Sequence, residues 1–197
     1  MGGKIDRLWF KRLGPLESCM SLRHCCNSIK TLGTCAAFCL LAAFPARAPA
    51  LTITEIMYAP PANGPDLQFI EVYNETGTVH DLSGYRFSSG VEYIFPEGTF
   101  LQGRSYLVVC ADLNALRSAY GIQYALGNWV GTLDPEGEAL IIVSNSGVEQ
   151  VEVSYRDRGR WPTVPKGTGH TLALKGVFLD SDDGVNWAPS RGRIRTS

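Results

Sequence analysis

From Leu51 to Lys175 short β-prone runs recur at intervals of roughly 8–12 residues, each closed by glycine, proline, asparagine or aspartate. That rhythm leaves little room for helices. A chain built this way must cover the faces of many short strands with one another, as an all-β sandwich or barrel. With 45% hydrophobic and 19% charged residues, it has enough apolar material for a packed core.

The stretch Gln68–Phe87, QFIEVYNETGTVHDLSGYRF, carries the pattern in miniature. Alternation puts Ile70 and Val72 on one face of a strand, with Phe69, Glu71 and Tyr73 on the other. Asn74 to Thr78 reads as an exposed turn. Asp81-Leu82-Ser83-Gly84 reads as a tight corner, with side-chain oxygens facing backbone N–H groups and Leu82 plugging the core. Tyr85-Arg86-Phe87 opens the next strand. Ile70, Val72, Leu82 and Phe87 are therefore expected in the core.

The remaining runs follow the same logic. Leu51–Met57 alternates and then breaks phase, which predicts a bulge or strand end near Glu55. Val91–Phe95 reads as a strand. Arg104–Cys110 ends in a continuous apolar run that predicts burial on both faces and places Leu107 and Val109 in the core. Asp112–Tyr120 is the one good helical stretch, with Asp112 as N-cap and Gly121 beyond its end. Asn128–Thr132 reads as a short strand. Residues 138–155 read as a hairpin with Val151, Val153 and Tyr155 facing inward. His170–Lys175 reads as the last strand, followed by a polar tail that contains Trp187. The expected total is eight or nine short strands and one short helix.

Charge and cysteine are unevenly spread. Residues 1–50 carry seven Lys/Arg against two Asp/Glu, and residues 51–197 carry eleven against seventeen. An acidic globular part disfavours nucleic acid as partner, because phosphate binding draws on Lys and Arg. Five of the six cysteines precede residue 50. The sixth, Cys110, reads as a buried strand residue.

Thr31–Phe44 is fourteen residues without a charge. As a helix it would span about 21 Å, short of the roughly 30 Å hydrocarbon core. Pro45 and small residues follow, with Ala48 and Ala50 placed for cleavage after Ala50. Residues 1–50 therefore read as a secretory signal peptide, with Met20 as the expected true start and an uncleaved anchor as the alternative. This implies a secreted, extracytoplasmic protein that meets a membrane only through its transient leader. Residues 51–190 form the expected domain. Residues 191–197 read as a short basic tail, and the chain as either a whole secreted module or a fragment of a longer protein.

Few residues offer chemistry. His80 and His170 are the histidines of the domain. No GxSxG, HExxH or paired-cysteine metal motif is present. The expectation is a protein without catalytic residues, cofactor or dedicated metal. Asp180, Asp182 and Asp183 are the candidate cation ligands, but their spacing does not fit an EF-hand loop and a solvated loop is the alternative. The turn with Asp134, Glu136 and Glu138 is a lesser candidate. Glu71 and Glu55 could face each other on adjacent strands, or point to water on an edge. Asn74-Glu75-Thr76 matches a glycosylation sequon on the expected exposed turn. Trp161, with Trp129 and Tyr155, could present an aromatic platform or pack inside. Glu71, Asn74 and Trp161 are thus the candidate binding residues. Arg156, Arg158 and Arg160 form a basic run that reads as a solvated loop.

Several segments together resemble the lamin tail domain. They are ITEIMYAPP (53–61), QFIEVYN (68–74), DLSGYRF (81–87), FPEGTFL (95–101), YLVVCADLNALRSAYG (106–121), LDPEGEALIIV (133–143), VEVSYRDRGRWP (151–162), GTGHTLAL (167–174) and DGVNWAPS (183–190). The resemblance implies an immunoglobulin-like β-sandwich. It also implies a role in protein or nucleic-acid contacts, or, as in secreted microbial relatives, an accessory module beside hydrolase, nuclease or spore-coat-type kinase domains. Tyr85 stands where the family often has tryptophan, and Gln68 where an acidic residue is common. The combined expectation is a secreted, non-enzymatic module that binds protein or cell-surface glycan. The alternatives are an accessory domain of a truncated secreted enzyme and a nucleic-acid-binding module.

Overall fold

The structure is a computed structural model that describes residues 50–61 and 64–190. The expected leader up to Pro49 and the basic tail lie outside the described residues. Among those described, no helix is long and apolar enough to cross a membrane.

The larger sheet has six strands in the order β11-β10-β1-β2-β6-β7. They are β1 (Leu51–Met57), β2 (Phe69–Asn74), β6 (Tyr106–Cys110), β7 (Ala125–Leu126), β10 (Leu172–Leu174) and β11 (Trp187–Pro189). A second sheet has the order β4-β8-β9, from Arg86–Ser89, Ala139–Val143 and Glu149–Ser154. A small ribbon pairs β3 (His80–Asp81) with β5 (Phe100–Leu101). The β1/β2 register shifts between Ile53 and Glu55, so the break in alternation is a bulge, and the strand runs on to Met57.

One large core fills the space between the sheets. Ile70, Val72, Leu82, Phe87, Val109, Val151 and Val153 all belong to it. Leu107 differs from expectation: it is half-buried and packs on the core's margin. Its strand β6 is flanked by β7 only at Val108 and Val109, so Leu107 has no neighbouring strand on that side. A smaller cluster on the other face of the large sheet joins Met57, Phe69, Val108 and Cys110 to Leu116 and Ile122. The helix α1 (Leu113–Tyr120) supplies Leu116. Asp112 caps it, accepting from the Asn114 and Ala115 amides at 2.7 and 2.8 Å, and Gly121 ends it at φ 69°. This second layer explains why both faces of β2 are buried.

Two expected strands are not strands. Val91–Phe95 alternates in burial, but its pairing is divided: Ile94 bridges to Arg86 and Glu92 to Val130. Within Asn128–Thr132 only Val130 takes part in a bridge. Together these segments link β4 to the large sheet along one side of the sandwich, where the Trp129 backbone amide also donates to the Cys110 carbonyl. In the other direction the chain adds a strand. β11 pairs with β10, and Trp187 is 2% exposed, so residues 180–189 belong to the fold and are not a polar tail.

Candidate functional site

The residues singled out by sequence fall into two groups: those that the fold consumes and those that it brings together.

Asn74 is consumed. The residue is fully buried, against the expected exposed turn. Its amide nitrogen faces the carbonyls of Thr78, Leu101 and Gln102 at 2.8, 3.0 and 3.1 Å, while its oxygen accepts from the Thr76 amide and hydroxyl. Asn74 ties its own turn to the Gln102 turn. The two backbones come so close that a β-carbon on Gly103 would stand 2.5 Å from the Gly77 carbonyl carbon.

Glu71 and Glu55 do face each other, as direct partners across β1 and β2. They do not lie on an edge: both strands are interior to the sheet, and the residues are 8% and 7% exposed. Glu71 accepts from the Thr54 hydroxyl at 2.7 Å, and Glu55 accepts from the Thr171 hydroxyl. These donors offset part of the cost of two carboxylates side by side.

Gln68 has a structural role. Its amide nitrogen donates to the Tyr58 and Leu133 carbonyls at 2.7 and 3.0 Å, and its oxygen accepts from the Leu133 amide at 2.8 Å. A carboxylate could not make the two donor bonds. His80 contacts the Tyr85 hydroxyl, and His170 contacts the Ser190 carbonyl. Cys110 is buried, its thiol donates to the Leu126 carbonyl, and burial pushes its pKa up to about 11. It is poorly placed as a nucleophile. Among the described residues no cluster of His, Cys, Asp and Glu has the arrangement of a metal site.

The second group meets in one place. Arg156, Arg158, Arg160, Trp161, Asp180, Asp182 and Asp183 line a single open groove of about 620 Å³. Two loops form it: one leaves β9, and the other leads into β11. Trp161 is 8% exposed and packs against Trp187 at a tilt of 34°, with ring centroids 5.7 Å apart. It anchors the groove from beneath and offers no exposed platform. Trp129 and Tyr155 are likewise buried.

The aspartates act mainly on the loop itself. Asp180 accepts from the Asp182 amide at 3.0 Å, and Asp183 accepts from the Val185 amide at 3.2 Å. Asp182 accepts from the Ser154 amide at 2.7 Å, blunting the open edge of β9. Asp183 also pairs with Arg160 at 3.2 Å. Oxygens spent on backbone amides converge poorly on a cation.

The arginines are less committed. Arg156 is exposed and makes no ion pair among the described residues. Arg158 reaches Asp157 only at 3.9 Å, and Lys166 holds that carboxylate at 2.6 Å. The Lys166 bond keeps the Asp157 carboxyl below the usual range. One wall of the groove therefore presents guanidinium groups and the other carboxylates. From sequence the arginine run reads as a solvated loop and the aspartates as candidate cation ligands or a solvated loop, with nothing to connect the two. Only the fold could join them, because they lie twenty or more residues apart.

The sandwich, its second layer and its loop-built groove define an immunoglobulin-like β-sandwich domain. The Lamin Tail Domain family model matches residues 45–157, more than half of the chain, and the protein belongs to that family. The matched region stops short of β10 and β11, which complete the large sheet. No curated protein matches the chain.

Proposed function

We propose that the protein is a secreted, non-enzymatic binding module that engages a protein or a cell-surface glycan through the Arg156–Asp183 groove. The observation that carries this reading is the pairing of two under-committed guanidinium groups, Arg156 and Arg158, with a concave surface of ligand-binding size. Phe178, Leu179 and Val185 are exposed on the same chain segment, outside the groove's lining. Secretion rests on the basic flank, apolar run and small-residue exit before Leu51.

The test is to present the purified full chain to a glycan array and to a random-peptide phage library, alongside hydrolase and nuclease screens. Saturable binding without turnover is expected. A reproducible hydrolytic activity abolished by His170→Ala would overturn the non-enzymatic reading. N-terminal sequencing of the secreted form tests the leader: the expected start is Leu51, and a start before Ala46 contradicts it.

A further inference from the structure

We infer that the groove takes a polypeptide segment of mixed charge, in preference to a uniformly anionic or cationic polymer. This inference rests on the groove being the contact surface. Its lining carries three arginines and three aspartates, so the net formal charge is zero while the two signs stay on separate loops. Arg160 and Asp183 neutralise each other at 3.2 Å. What remains is Arg156 and Arg158 on one wall, and Asp180 and Asp182 on the other, all exposed. A polyanion such as a sulfated glycan or nucleic acid would gain the arginine wall and be repelled by the aspartate wall. A segment with an acidic and a basic side chain meets both walls favourably.

Shape and apolar surface point the same way. Two copies of a concave groove facing each other leave a void, whereas one convex loop or extended segment fills it. Phe178 and Leu179 directly precede Asp180 and are 69% and 43% exposed, and Val185 lies just beyond Asp183 at 42%. They flank the acidic loop outside the groove's own lining, where Phe178 also carries the Arg104 guanidinium 5.2 Å from its ring centroid, so a segment longer than the groove is needed to reach them, which suits a peptide better than a sugar.

The experiment selects the random-peptide phage library against the full chain and measures the enriched peptides by fluorescence anisotropy. Two double variants are compared with wild type. Arg156→Gln/Arg158→Gln removes the basic wall. Asp180→Asn/Asp182→Asn removes the acidic charge but keeps the oxygens that accept from Asp182 N–H and Ser154 N–H. Enriched peptides are expected to carry both signs with an apolar residue, and each double variant to weaken binding about tenfold, with more salt weakening it further. Uniformly acidic peptides, or tighter arginine-dependent binding of a heparin octasaccharide, would overturn the mixed-charge inference and leave the groove itself standing. Binding insensitive to both double variants, or no enrichment and no heparin binding, would overturn both. Dimerisation lost in the double variants would make a second copy the occupant and overturn the inference as well.

Discussion

Gly184 lies against the indole of Trp161 so closely that a β-carbon there would stand 2.8 Å from two atoms of the ring. This contact joins the two loops of the groove: Trp161 follows the arginine run, and Gly184 follows the aspartates. Trp161 cannot retreat easily, because it packs against the buried Trp187. Gly184→Ala should therefore cost about 1–3 kcal/mol through overpacking. It should also change the emission of the tryptophan pair and weaken ligand binding. Urea unfolding with tryptophan detection checks this, and an unchanged midpoint with unchanged emission would remove Gly184 as the join.

Gln68 should not tolerate an acidic replacement. Gln68→Glu removes both donors and turns a carboxylate toward the Tyr58 and Leu133 carbonyls in a site 4% exposed. A loss of about 3 kcal/mol is expected. Thermal unfolding at neutral pH measures it, and the deficit should shrink on acidification as the new carboxyl takes a proton. Wild-type stability in Gln68→Glu would contradict the assigned bonds.

Asn74 should remain unglycosylated in protein that folds before modification, since its nitrogen faces three carbonyls inside the domain. Expression in a eukaryotic secretory host followed by intact-mass measurement tests this. Asn74→Asp, which sets a charge against those carbonyls, should destabilise more than the roughly 2 kcal/mol expected for Asn74→Ala. Glycan on the folded wild-type chain would contradict the buried position.

Alkaline pH should loosen the fold through two tyrosines in ring contact. Burial, with Asp157 secondary, raises the Tyr58 hydroxyl to about 12, and burial followed by Glu138 raises Tyr155 higher still. The unfolded chain releases these protons near pH 10, while the native state keeps them. The stabilisation is thus fully present below pH 10 and falls by about 1.4 kcal/mol per pH unit per tyrosine above it. For Tyr58 the fall ends near pH 12. Urea midpoints at pH 9, 10.5 and 11.5 report the slope, and Tyr155→Phe should flatten it. A slope unchanged in that variant would contradict the assignment.

What sequence revealed depended on how local each feature is. The α1 caps at Asp112 and Gly121, the bulge before Glu55 and the Leu82 corner involve residues a few positions apart, and their chemistry was readable directly. Asn74 looked exposed because its turn is polar, yet the groups that bury it come from the Gln102 turn. Val91–Phe95 alternates like a strand, but its two bridges lead to different neighbours. Trp187 sat in a polar context that hid a core residue. The groove needed two loops that only β10 and β11 bring alongside β9, and neither charge run signals the other.

The proposed function rests on Arg156 and Arg158 forming a contact surface. The most direct measurement compares wild type with Arg156→Gln/Arg158→Gln for the tightest ligand from the glycan and peptide panels, with thermal unfolding as control. Because both side chains are exposed, the melting temperature should stay put while affinity falls about tenfold or more. Equal affinity in the two proteins would contradict the claim.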